Sequence, residues 1–149
     1  MRETLFRGKR IDNREWIEGS LVVAGDYCCI LPSDENSVHP TDYPYLDPET
    51  GTIDGHLIPV DPSTVGQCVP GVTDCYGKKI FDGDIVSYAI YIGMGCGYGY
   101  GQVVYRTPSF IVDCGKQRVR LFSSCDSEND YVVCGNIYDN PELLDNIDY

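Results

Sequence analysis

Lys79-Ile80-Phe81-Asp82-Gly83-Asp84-Ile85-Val86-Ser87-Tyr88 decides how this chain is read. Two short apolar runs flank Asp82-Gly83-Asp84, which suits a bend in which Gly83 adopts a backbone conformation that other residues avoid. Beyond the bend the alternation places Ile85, Ser87 and Ala89 on one face of a strand and Val86, Tyr88 and Ile90 on the other. Similar Gly-Asp turns lead into the strands of small barrels.

Working outward, the same grammar recurs. Gln102–Tyr105, Phe110–Val112 and Val119–Phe122 read as strands, the last two separated by the turn-like Asp113-Cys114-Gly115-Lys116, and Tyr131–Tyr138 reads as a closing strand. Asn140-Pro141-Glu142-Leu143-Leu144 carries an N-cap residue followed by proline at a first helical position, and predicts a short C-terminal helix. Towards the N-terminus, Asp12-Asn13 supplies turn chemistry before Trp16, and Ala24-Gly25-Asp26 joins Leu21-Val22-Val23 to Tyr27-Cys28-Cys29-Ile30-Leu31 as a hairpin. Six prolines between residues 32 and 62 mark that stretch as mainly loop, with one strand, His56-Leu57-Ile58-Pro59-Val60, that Pro59 confines to an edge or a strand end. Many short strands and almost no helix predict a mainly β domain. A barrel is favoured, because closure removes exposed edges.

At 149 residues the chain has the length of one domain, with residues 1–63 forming a hairpin and proline-rich region and residues 64–149 the barrel region. Charges occupy the N-terminal positions where a signal peptide would need an apolar stretch, and no segment approaches the length of a spanning helix. The expectation is a soluble cytoplasmic protein with no membrane association.

The eight cysteines are even in number, yet a chain of this size without a secretory signal is expected to keep its thiols free, most of them as small buried residues. Zinc-ligand spacings of the C-x2-C or H-x3-H type are absent, and His39 and His56 stand alone in loop-like sequence, so neither metal nor cofactor is expected. Asp82 and Asp84 read as turn residues rather than magnesium ligands, and Asp126–Asp130 lacks the glycine and spacing of a calcium loop. Gly93–Gly101 has glycine at every second position, which fails the G-x-G-x-x-G fingerprint and reads as a flexible loop or a glycine-rich hairpin tip. No nucleophile, base and stabiliser converge, so an enzyme is not expected.

The net charge of −12 is uneven. Residues 21–86 hold 2 basic against 11 acidic side chains and residues 126–149 hold 7 acidic and no basic ones, whereas residues 87–125 hold 4 basic against 1 acidic. Such a field repels phosphate backbones over most of the surface and disfavours nucleic-acid binding. The basic cluster Arg106, Lys116, Arg118 and Arg120 is the one candidate patch, and a solvated strand face is its simpler reading.

Three blocks carry a resemblance over the whole chain: Phe6-Arg7-Gly8-Lys9 with Trp16; Val60-Asp61-Pro62-Ser63-Thr64-Val65-Gly66-Gln67 followed by Gly77–Val86; and Gly135-Asn136-Ile137-Tyr138-Asp139-Asn140-Pro141-Glu142-Leu143-Leu144. Together they resemble the YopX family of temperate phages and prophages. Arg14 stands where the family often has a turn glycine. The resemblance implies a mainly β architecture with an SH3-like roll in the later part and a phage or prophage origin, and no reaction, ligand or catalytic residue. The leading expectation is a non-enzymatic module that binds a phage or bacterial host protein, including as a homo-oligomer, with Tyr43, Tyr45, Tyr98 and Tyr100 as candidate contacts. An acidic nucleic-acid mimic that inhibits a DNA- or RNA-processing protein ranks second, and direct nucleic-acid binding third.

Overall fold

The computed structural model describes residues 4–32, 45–46, 53–54, 57–116, 119–121 and 131–146. Almost all regular structure is antiparallel strand, as the alternating pattern requires. The chain divides into two compact units, Met1–Gln67 and Cys68–Tyr149.

In the first unit, β1 (Phe6–Lys9), β2 (Trp16–Ala24), β3 (Tyr27–Pro32) and β6 (Ile58–Pro59) lie in the order β6-β3-β2-β1, and β4 (Tyr45–Leu46) pairs separately with β5 (Ile53–Asp54). The β2–β3 hairpin closes with Ala24 opposite Tyr27. Its first loop residue, Gly25, sits at φ 59°, the positive φ that tight hairpin connections require. Pro59 falls in the edge strand, where its missing N–H breaks no ladder. Between β1 and β2, the Asn13 side chain accepts a hydrogen bond from the Glu15 amide at 2.9 Å, and Arg14 takes a left-handed φ of 61°. That conformation accounts for glycine as the expected residue at this position. Ile30 and Val60 are fully buried in this unit.

β7 (Gly66–Thr73) begins by pairing Gly66 and Gln67 with β1 and continues by pairing with β8 (Lys79–Phe81) across an irregularity between Cys68 and Thr73. Residues 68–73 carried no strand signal, because Pro70 and Gly71 obscure the alternation. In the second unit β9 (Asp84–Ile92), β10 (Gly95–Arg106), β11 (Ser109–Asp113), β12 (Val119–Leu121) and β13 (Tyr131–Asn136) form a sheet in the order β12-β11-β10-β9-β13. Val86, Tyr88, Val103, Val112 and Tyr131 line one face and pack with Val69 and Ile80 as the core. Each such side chain contributes roughly 1.5–3 kcal/mol through removal of apolar surface from water. Ile85 and Ile111, on the opposite face, are buried as well, and a 3-10 helix, Pro141–Asn146, contacts β10.

The mainly β class and the short C-terminal helical element therefore hold. Among the described residues the five-stranded ladder is open, and the pairing that would close a barrel is not present. Two local expectations change. The closing strand stops at Asn136 rather than Tyr138, because the Asn136 side-chain oxygen accepts from the amides of Tyr138 and Asp139 at 3.0 and 2.9 Å and turns the chain. Asn140 turns its own side-chain oxygen back to the Asn136 amide, at 3.3 Å, instead of capping the helix that follows.

Candidate binding surface

The sequence blocks that looked most specific fold into turns whose polar groups are committed to the backbone. Asp61 caps the 3-10 turn Pro62–Thr64, accepting from the Ser63 amide at 3.0 Å and the Ser63 hydroxyl at 2.7 Å. Its carboxyl is held below the ordinary value first by the Ser63 hydroxyl, then by the Ser63 amide and Arg14. Thr64 is buried; its hydroxyl donates to the Asp61 carbonyl and accepts from the Lys9 amide, which pins this turn to β1. Asp84 is 1 % exposed and accepts from the Phe81 amide at 2.8 Å, while Gly83 between them sits at φ 92° with the Tyr138 ring over it. Asp82 lies in the turn and Asp84 opens β9 with its carboxylate committed to the Phe81 amide. His39 and His56 lie outside the described residues.

Asp74, between β7 and β8, holds three segments of backbone together. It is buried, and its carboxylate accepts from three amides: Tyr76 at 2.9 Å, Lys78 at 2.8 Å and Val133 at 3.2 Å. The first two close the β7–β8 turn, and the third ties that turn to β13.

Of the two readings of the glycine-rich segment, the hairpin holds and the flexible loop does not. Gly95–Gly101 is the first half of β10, paired with β9 from Ile92↔Gly95 to Val86↔Gly101, with Gly93 and Met94 as the two-residue connection. Its glycines share the core-side face. A Cβ at Gly101 would lie 2.3 Å from Val112, and one at Gly99 would lie 2.6 Å from the Tyr88 ring, so the absent side chains make room for neighbours. Tyr88 is the cross-strand partner of Gly99 and covers it, a known way for an aromatic to shield a strand glycine. Tyr98 and Tyr100 consequently occupy the opposite, outward face. Tyr98 is 76 % exposed, Tyr100 is half-buried, and Met94 at the tip is fully exposed. Tyr43 lies outside the described residues, and Tyr45 is described only as backbone in β4.

Arg106 is paired with Asp113 at 2.9 Å, Lys116 is exposed in a left-handed turn at φ 41°, and Arg118 lies outside the described residues. Arg120 lies 4.4 Å over the Tyr88 ring and 5.6 Å from that of Tyr131, to whose hydroxyl its Nε donates at 3.2 Å. The two tyrosines meet edge to face. This cluster seals the edge of the core beside the glycines.

Cys28, Cys29, Cys68, Cys75, Cys114 and Cys134 are free thiols. Cys28, Cys29, Cys68 and Cys114 are only partly buried, and Cys75 and Cys134 are exposed, so the expectation of buried cysteines fails for the described ones. Burial raises the pKa of both Cys28 and Cys29.

A family model described as YopX protein matches residues 5–145. The chain belongs to the YopX family. Among solved structures it is similar to the crystal structure of protein EF1440 from Enterococcus faecalis, with a TM-score of 0.62 and 20 % identity over 97 % of this chain and 99 % of that one. At that identity the likeness concerns the fold alone. No curated protein matches.

In this YopX chain the family blocks are therefore legible as scaffold. The Gly135–Asn140 block is a compact turn in which a Cβ on Gly135 would sit 2.4 Å from the Asn140 side chain. The features that sequence reasoning missed are Met94 at the hairpin tip, the three-amide role of Asp74 and the Arg120–Tyr88–Tyr131 cluster. Only strand register brings the last two together, and no local signal announces them. No helix among the described residues is long and apolar enough to cross a membrane.

Proposed function

We propose that this YopX protein is a non-enzymatic, phage- or prophage-encoded interaction module that engages a phage or host protein through the outward face of the β9–β10 hairpin. The observation that carries this reading is the exposure of Tyr98 on β10 and of Met94 at the hairpin tip, with Tyr100 half-buried on the same face as Tyr98. Tyrosine and methionine are enriched at the centres of protein interfaces because they offer large contact area, and tyrosine keeps a polar tip for hydrogen bonding. The paired strands beneath hold that area in place.

The test compares tagged wild type with the Tyr98→Ala/Tyr100→Ala variant on lysate of the bacterial host. A protein retained in stoichiometric amount by the wild type and lost by the variant is the expected result. Equal retention by both would remove this face from the proposal.

Acidic mimicry of nucleic acid is the second reading, supported by the 11 acidic side chains between residues 21 and 86. It predicts a nucleic-acid enzyme as the retained protein and release by moderate salt. Direct nucleic-acid binding has weaker support, since Arg106 is neutralised by Asp113 and Arg120 is engaged with two rings.

A further inference from the structure

We propose that the outer edge of β10 over Gly95–Gly101 pairs antiparallel with the same edge of a second copy of this chain, joining two β9–β10 hairpins into one four-stranded ribbon. The inference is separate from partner binding through the tyrosine side chains, because it rests on backbone groups.

The hairpin overhangs its sheet. β11 accompanies β10 only from Arg106↔Ser109 to Gln102↔Asp113, and β13 begins opposite Tyr88, so among the described residues no strand pairs with Gly95–Gly101 on the side away from β9, where Asp113 and Cys114 lie against Gly101 alone. A two-stranded hairpin alone is marginally stable in water, and a third strand is what it lacks. The parity of the ladder identifies the groups left over. The Val103 carbonyl accepts from the Gly83 amide, next to the start of β9, so it points towards β9. The N–H and C=O of one strand residue point the same way and the direction alternates along the strand. Gly95, Gly97, Gly99 and Gly101 therefore bond to β9, and the backbones of Cys96, Tyr98 and Tyr100 aim at the open edge.

Two other edges are occupied or interrupted. The Cys75 amide donates to the Tyr131 carbonyl at 2.9 Å, and Asp74 accepts from the Val133 amide, which together occupy the outer side of β13. Edge strand β6 carries Pro59. Exposed edges are ordinarily protected by lysine, proline or a bulge. The β10 edge has none of these: no charged residue occurs between Asp84 and Arg106, no proline interrupts it, and its pairing with β9 is regular.

The register selects a second copy as the occupant. With Tyr98 opposite Tyr98 of the second copy, Gly97 meets Gly99, Cys96 meets Tyr100 and Gly95 meets Gly101, so glycine faces glycine along the whole edge. A two-fold axis requires such self-complementarity, and a slip by one residue would set glycine against tyrosine. Each of the three outward residues exchanges two bonds with its partner, about six backbone hydrogen bonds in all. No like charges meet across this axis, although the chain carries −12. The product aligns Tyr98 and Tyr100 of both copies on one outward face.

Sedimentation equilibrium on the purified full chain, over a wide concentration range, tests the proposal. Wild type is expected to form a concentration-dependent dimer. Tyr98→Pro removes an outward amide while leaving the glycine bonds to β9, and Tyr98→Lys places like charges on the axis. Each is expected to weaken dimerisation roughly tenfold or more. Tyr98→Ala/Tyr100→Ala keeps the backbone and is expected to remain dimeric, so loss of a host protein by that variant and loss of the dimer are distinguishable. Should Tyr98→Pro fail to fold by circular dichroism, Tyr98→Lys and amide exchange decide: the Tyr98 and Tyr100 amides should gain protection with concentration, whereas those of Gly97 and Gly99 are protected throughout. A wild type that stays monomeric, or a dimer indifferent to Tyr98→Lys, overturns the proposal. Protection of Tyr98 and Tyr100 that appears only on adding a host protein also overturns it, and assigns the edge to that protein.

Discussion

The turns that carry the family blocks and the overhanging tip of the β9–β10 hairpin both depend on glycine, with opposite consequences. At Gly83 and Gly135 the glycine is enclosed by Tyr138 and Asn140, and the nearby backbone is tied by Asp84 and Asn136. Along β10 the enclosure fades towards the tip. Gly101 is filled by Val112, Gly99 by Tyr88, and Gly97 has nothing within 4 Å of the position its Cβ would occupy. One residue type thus closes the structure where neighbours crowd it and leaves backbone available where they do not.

The strongest way to break the enclosed side of this comparison is at Asp74. Asp74→Ala strands three amides at a buried turn and should cost about 3–4 kcal/mol, read from the urea midpoint, because lost charge-assisted bonds leave unsatisfied donors. The glycine gradient comes next. Gly101→Ala should lose about 2 kcal/mol by overpacking against Val112, and Gly99→Ala should lose less to the extent that the Tyr88 ring swings aside. Gly97→Ala should gain about 0.5 kcal/mol, since open space receives the methyl and the unfolded chain loses freedom. Equal losses at all three positions would contradict the gradient.

Smaller effects belong to the first unit. Arg14→Gly relieves the left-handed backbone and should stabilise by about 0.5 kcal/mol, a gain reduced by the loss of its surface contact with Asp61. Asp61 should make stability fall in acid. Its folded pKa is lowered, so its contribution is fully present above the ordinary carboxylate value of 3.8 and disappears as the pH falls through the lowered one. Denaturation midpoints followed from about pH 6 to about pH 2.5 should decline more for wild type than for Asp61→Asn.

Much of the fold could be read from residues alone. Turn chemistry at Asp12-Asn13, Ala24-Gly25-Asp26 and Asp82-Gly83-Asp84 is local, because each turn needs particular backbone angles and short polar side chains. Alternation fixed the strand faces around Val86 and Tyr88 for the same reason. The edge position of Pro59 followed from its missing donor. Tyr98 was legible as a candidate contact, though not that β10 would hold it extended and outward.

Composition and local pattern by themselves determined the mainly β class, the principal turns, the acidic charge distribution and the family resemblance, since each depends on residue type and short-range spacing. Register was decided only in three dimensions. It set the Asp74 carboxylate against the Val133 amide and Arg120 against Tyr88 and Tyr131, distant in sequence and joined by pairings that no local signal encodes. It also let β9 and β10 outrun their neighbours. An edge becomes available where adjacent strands differ in length, and that difference is a property of the assembled sheet.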